Sequence, residues 1–488
     1  RSLLVTGVQT CALPILEVKE CLDYCTKAWS EGGFALEGLK ELIRVPNLSP
    51  DYDKEFLTNG LINKAVDVVK TWFEAQGIKG LKATVFADKG RQPLLLIEIP
   101  GTAKEGKPIL AYGHLDKMPH LDPKGWSEGL SATNPVVKGD KVYGRGTNDD
   151  GYNGFCLMTA IKYLHDKGLE YPKFTFVFET GEESGSAEID QYLIELKDRI
   201  GDVGTILILD AEAQNYKTVW CCQSLRGVVI GVLSVEHLAT PCHSGMATGL
   251  VPSTFRIARM LLSRIEDQNT GEILIKEAHV KEIPKNRIEQ CQAIYDQLGA
   301  ESYAIVTPLK GSKLIAEGAQ LLVNKGWVPG LAVTGCEGIP CIAEGSNVMR
   351  TKTALKLSLR TPPGVKAEVV GKAMKEILEK DPPYGAKVSF NVLGAGDGWW
   401  GHDFDAKTDA ALKKATHEIF GEDPLYYGEG GSIPLCNSFQ DLWPEAQLMV
   451  SGCAGTDSNP HGFDESLDLP YTAKFAAVIA SLIYDISH

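Results

Sequence analysis

The stretch Ile109-Leu110-Ala111-Tyr112-Gly113-His114-Leu115-Asp116 is an apolar run of strand length that stops at a glycine and then delivers an imidazole and a carboxylate. Near-continuous apolar character over so few residues predicts a strand buried on both faces. Three further runs have the same build. Residues 94–99 end at Pro100-Gly101, residues 174–178 run into Glu179-Thr180-Gly181, and residues 206–209 run into Asp210. Stretches with helical spacing of apolar residues lie around them: 35–43 before Pro46, 61–73, and 154–164 with Phe155, Met158 and Ile161 on one face. Strands alternating with helices predict an α/β fold, a mainly parallel sheet flanked by helices. Ligands of open α/β sheets collect at the C-terminal edge of the strands. His114, Glu182, Glu183 and Asp210 are therefore expected to converge there despite their separation in sequence.

Near Leu225 the pattern changes. Residues 228–235 are β-rich, 252–265 helical, 355–359 alternating and 365–378 helical again. This predicts an α+β insertion over 226–398, about one domain in size. The α/β pattern resumes over 399–488, with a helix through Phe420 and a last one over 472–486. The principal domain is thus expected in two pieces, 16–225 and 399–488. Residues 1–15 have no signal-peptide architecture. They resemble translated sequencing-adapter readthrough and are set aside as a non-native leader.

A chain of 488 residues with 44 % apolar and 23 % charged residues has ample material for packed cores. Its formal net charge of -14, without a dense Lys/Arg stripe, argues against nucleic acid and anionic membrane surfaces as partners. No uninterrupted apolar run reaches the length of a membrane span, about 18 residues. Twelve cysteines are scattered without a Cys-x-x-Cys pair. They read as mostly buried thiols of a reducing compartment, so a cytoplasmic location is expected.

Five motifs carry chemistry. Gly113-His114-Leu115-Asp116 offers an imidazole, a good zinc ligand, with an acid placed to orient it. Gly144-Arg145-Gly146-Thr147-Asn148-Asp149-Asp150-Gly151 is a tight glycine-flanked loop whose carboxylate either bridges two cations or is simply solvated. Glu179-Thr180-Gly181-Glu182-Glu183-Ser184-Gly185-Ser186 places two adjacent acids after a buried strand. Such acids need a cation or a raised pKa, and one can bind metal while the other takes a proton from water. Asp210 is either a helix cap or a ligand. His461, in Gly455-Thr456-Asp457-Ser458-Asn459-Pro460-His461-Gly462-Phe463-Asp464-Glu465, supplies a second imidazole. Together they fit two divalent ions sharing one carboxylate.

In combination these motifs resemble the two-zinc metallopeptidases that include carnosinase, cytosolic nonspecific dipeptidase and aminoacylase. The carnosinase-like branch is the most similar, on Gly113-His114-Leu115-Asp116, Gly125-Trp126, Gly144-Arg145-Gly146 and the long insertion. The resemblance implies that His114 and Asp210 hold one metal, Glu183 and His461 the other, and that Asp149 bridges them. It implies that Asp116 orients His114 and that Glu182 is the general base toward the water shared by the metals. The insertion is then a lid and dimerisation domain. Its Cys242-His243-Ser244-Gly245 looks like the motif whose histidine steadies the oxyanion in the partner's site. Asn347, Arg360 and the loop Glu429-Gly430-Gly431-Ser432-Ile433-Pro434 match substrate-contacting positions.

The implied enzyme is a homodimeric metallodipeptidase with two divalent ions, zinc first, manganese or cobalt as substitutes. Its substrate is a small peptide or an acylated amino acid. Two departures concern the substrate rather than the metals: Gly428 stands where an arginine is usual, and Gly151 where a lysine is usual. The alternatives are a deacylase of N-acyl amino acids or a carboxypeptidase with the same metal site, and an inactive ligand-binding relative. A serine or cysteine hydrolase lacks its nucleophile motif.

Overall fold

The computed structural model describes residues 16–88, 90–304, 306–431 and 435–488. The expected leader, 1–15, lies outside the described residues. Strand Ile109–His114 sits in the interior of the sheet. It pairs in parallel with Phe174–Glu179 on one side and with Thr205–Ile208 on the other. Gln447–Ser451 adds in parallel to Thr205–Ile208. On the other flank Leu94–Ile99 pairs antiparallel with Phe174–Glu179, and Lys82–Phe86 antiparallel with Leu94–Ile99. The sheet is thus mixed with a parallel centre. Every residue of Ile109–His114 and Phe174–Glu179 is buried, which is why these runs lack polar alternation.

Helices cover the sheet. Tyr152–Asp166 makes the crossover between the two central strands, and its aromatic and aliphatic residues are almost all buried. Phe73 from helix Leu61–Glu74 packs edge-on to Phe176 and Phe178, with ring centroids 5.0 and 5.8 Å away. Helix Leu469–Ile486 is, among the described residues, the one helix long and apolar enough to cross a membrane by length and composition. Here it is mostly buried, packed against Val18–Ala28, Tyr152–Asp166 and Ala406–Phe420.

The chain divides into two compact units. The first runs through Cys221 and includes 403–425 and 438–488; the second is 222–402 with 426–437. The sequence reading keeps 399–488 in one piece. Segment 426–437 departs because strand Leu425–Glu429 pairs with Trp220–Leu225, the strand that leads into the second unit. That unit is built on an antiparallel sheet in the order Gly330–Glu337, Lys352–Thr361, Gly227–Glu236, Lys387–Gly396. Gly227–Glu236 alternates buried with half-buried positions. Its inward Val229, Leu233 and Val235 pack with Ile257 and Leu261 of one helix and Val370 and Met374 of another. Eight described cysteines are buried, and Cys242, Cys336 and Cys341 are exposed; all eleven are free thiols.

Candidate metal centre

Four neighbouring parallel strands end on one edge, and each is followed by an acid or an imidazole. Ile109–His114 ends in His114 itself. Phe174–Glu179 leads to the turn Glu182–Ser184. Thr205–Ile208 leads to Asp210, and Gln447–Ser451 to the loop with His461. The fifth contributor, Asp149, lies in the turn Thr147–Gly151 at the start of the crossover helix. Gly146 enters that turn at φ +83°, a left-handed backbone that glycine adopts without strain.

The donor atoms meet. His114 Nε2 lies 3.2 Å from Asp149 Oδ1 and 3.8 Å from Asp210 Oδ2. His461 Nε2 lies 2.7 Å from the other Asp149 oxygen, Oδ2, and 3.2 Å from Glu183 Oε2. Asp149 therefore faces one imidazole with each oxygen. One donor atom each of His114, Asp149 and Glu183 lie within 4.8 Å of one another, as do one each of His114, Glu182 and Asp210. The structure thus gathers His114, Asp149, Glu182, Glu183, Asp210 and His461 in one cluster.

Asp116 contacts both His114 and the Glu182–Ser184 turn. The nearer partner of His114 Nδ1 is the Asp116 main-chain carbonyl, at 3.2 Å; the carboxylate Oδ1 is 3.5 Å away. The Asp116 carboxylate accepts the backbone N–H groups of Glu182 at 3.2 Å and Glu183 at 3.1 Å. It ties the Glu182–Ser184 turn to the histidine. Ser184 is in turn held by Ser49, with 2.6 Å between the two hydroxyl oxygens. No sequence signal marks Ser49, which lies far upstream in a polar turn.

Electrostatics fit a cation. Burial pushes the carboxyls of Glu182 and Asp210 up, and that of Glu183 up to about 7. Asp149 is also buried, yet its two imidazole partners hold it well below the usual carboxylate range. The acids Asp149 and Glu183 raise His461 to about 10. Buried acids that crowd one another in this way lack positive charge. Glu183 Oε1 is buried without a hydrogen-bond partner, and such an orphaned oxygen is what a divalent ion takes up. The imidazoles and carboxylates suit zinc and equally suit manganese or cobalt.

The remaining site candidates lie in the second unit. His243 and Asn347 are exposed neighbours: His243 pairs with Val348 across a short antiparallel bridge, and Ser244 N–H donates to the Asn347 carbonyl at 2.9 Å. The His243 ring accepts the Gly245 N–H at 3.2 Å. Arg360 lies near the end of Lys352–Thr361, between Gly330 and Val228 on the adjoining strands. Gly430 N–H donates to Glu429 Oε1 at 2.6 Å, and Lys325 Nζ lies 3.2 Å from the same oxygen. Gly431 follows in the same loop, and Ser432 lies outside the described residues. A Cβ at Gly428 would stand 2.7 Å from the Ser224 hydroxyl oxygen, so this position is closed to a larger residue unless Ser224 moves.

Known proteins are similar to this chain in sequence and in fold. The Cys-Gly metallodipeptidase DUG1 of Saccharomyces cerevisiae is 26 % identical over 450 residues, 88 % of this chain and 91 % of that protein. The Beta-Ala-His dipeptidase of Homo sapiens is 23 % identical over 387 residues, 77 % of this chain and 74 % of that protein. The crystal structure of human carnosine dipeptidase 1 has the same fold, with a TM-score of 0.74 at 19 % identity, covering 98 % of this chain and all of that one (100 %). The description of peptidase family M20/M25/M40 matches residues 110–485, more than half of the sequence, and the chain belongs to that family.

Proposed function

We propose that this chain is a metal-dependent dipeptidase that hydrolyses the amide bond of dipeptides. The observation that carries the reading is Asp149, set between His114 and His461 with one oxygen toward each. In this reading His114, Asp149 and Asp210 hold one ion, and Asp149, Glu183 and His461 hold the second. The ions are zinc, with manganese or cobalt as substitutes. They supply Lewis acidity, polarising the carbonyl and lowering the pKa of water.

The chain's own residues do the rest. Glu182 is the acid of the cluster left without a ligand role, and burial raises its pKa as a general base at neutral pH requires. It takes a proton from the attacking water and delivers it to the leaving amine as the C–N bond breaks. Asp116 holds Glu182 and Glu183 by their backbone amides and braces His114. Asn347, Arg360, Gly430, Gly431 and Ser432 bind the substrate.

Residues 226–398 are assigned as the lid and dimerisation domain, and 16–225 and 399–488 as the two parts of the catalytic domain. His243 then serves the active site of a second copy. Exposed apolar side chains on the second unit, among them Leu250 (82 % exposed), Ile342 (101 %) and Leu393 (56 %), support an interface there. Buried free cysteines support a cytoplasmic location.

The test is release of amino acids from a panel holding Cys-Gly, β-Ala-His and N-acyl amino acids. Release from dipeptides is expected. Release from the acylated amino acids alone moves the activity to deacylation with the same centre.

A further inference from the structure

Beneath the candidate centre lies an ion pair that none of the roles above uses. The Arg145 guanidinium and the Glu465 carboxylate meet at 2.6 Å (Nη1 to Oε2) with side chains 1 % and 0 % exposed. Removing both charges from water is costly, so a buried pair is weak grounds for stability by itself. What sets this pair apart is what each partner holds.

Glu465 holds the loop of Asp149. Its carboxylate accepts the backbone N–H groups of Gly146 at 3.0 Å, Asn148 at 3.1 Å and Asp149 at 3.2 Å. Arg145 holds the loop of His461. Its Nη2 donates to the main-chain carbonyls of His461 at 3.1 Å and Gly462 at 2.8 Å, and its Nε to Pro119 at 3.2 Å. Each loop is thus gripped by a residue that the other loop supplies. The His461 loop needs such a grip: Asn459, His461 and Asp464 all have left-handed backbone, at φ +52°, +61° and +56°. Non-glycine residues keep that conformation only where their surroundings fix it.

We infer that Arg145 and Glu465 are positioning residues that set the separation of Asp149 and His461, and so the geometry of the second ion site. The inference rests on the ligand assignment proposed above. The planar guanidinium reaches three carbonyls and a carboxylate together, which a lysine cannot do. Arg145→Lys keeps the charge opposite Glu465 and gives up the fork. It should bind the ion at His114, Asp149 and Asp210 like the parent and lose affinity at Asp149, Glu183 and His461. The expected loss is roughly 10–100-fold, as for other residues that orient ligands.

The experiment is a cobalt(II) titration of metal-stripped protein, parent and Arg145→Lys. Ion content is read by equilibrium dialysis and elemental analysis, and fold by near-UV circular dichroism. Two ions on the parent, with one of the two impaired and the other kept in a folded variant, support the inference. Equal binding of both ions by the two proteins overturns it and leaves the ligand assignment standing. A variant that loses both ions together with its tertiary signal reduces the pair to a stability element, which also overturns it. A parent that binds a single ion overturns the ligand assignment and this inference with it.

Discussion

Glu182 and Glu183 are adjacent in sequence, and the turn that carries them aims them differently. Glu183 faces His461, while Glu182 groups with His114 and Asp210. Replacing Glu182 by Gln keeps size and hydrogen bonding and removes the base proposed above. Turnover should drop by about two to four orders of magnitude, the usual worth of a general base, with metal content and circular dichroism unchanged. Near-parental kcat in a metal-replete variant would exclude Glu182 from proton transfer. At this scale much was legible in the sequence. His114, Asp116, Asp149, Glu182, Glu183, Asp210 and His461 each stand in a short motif whose residue types announce cation or proton chemistry. Ser49 stands in no such motif, and Arg145 and Glu465 stand in quoted motifs without their roles being legible, because those roles lie in partners far away in sequence, as with the 2.6 Å bond from Arg145 to Glu465.

The elements explain why the cluster forms. Strand Phe174–Glu179 was legible as an apolar run, and so were the crossover and terminal helices, because continuous burial leaves a continuous apolar pattern. The last residue of that strand is not part of the centre. Glu179 accepts from the Tyr112 hydroxyl at 2.5 Å and the Ser186 hydroxyl at 2.8 Å, linking the neighbouring strand to the segment after the Glu182–Ser184 turn. Burial raises its carboxyl to about 8, so it is protonated at neutral pH. A folded-state pKa above the unfolded one means stability that is complete below about pH 4.5 and is lost as pH rises through about 8. Glu179→Gln stays neutral throughout. Its melting temperature, measured against pH, should fall less than that of the parent between pH 5 and 8; parallel profiles would show that Glu179 is ionised in the folded chain. The short Leu425–Glu429 strand was not legible, since Tyr426-Tyr427-Gly428-Glu429 has neither a long apolar run nor clear alternation.

On the scale of the molecule, the sequence pattern changes from α/β to α+β near Leu225, and the chain divides into two compact units. Segment 426–437 escaped because a return to the second unit is set by strand pairing and not by composition. The role assigned to His243 makes function depend on assembly. His243 is exposed, and its ring contacts only the nearby Gly245 amide among the bonds described. His243→Ala should therefore lower kcat by about 10²–10³-fold, as for a lost oxyanion donor, while the melting temperature stays within about a degree or two. Sedimentation should show a dimer for both proteins; a fully active monomer would contradict a histidine acting across subunits.

Two divalent ions gathered by Asp149 are what we propose makes this chain a peptidase. The most direct measurement is hydrolysis of a dipeptide by metal-stripped protein as zinc is returned, with bound zinc counted in the same samples. No activity is expected without metal, followed by a rise that levels off when each chain holds two ions. Full activity in the stripped protein, or none with both ions bound across the dipeptide panel, would contradict it.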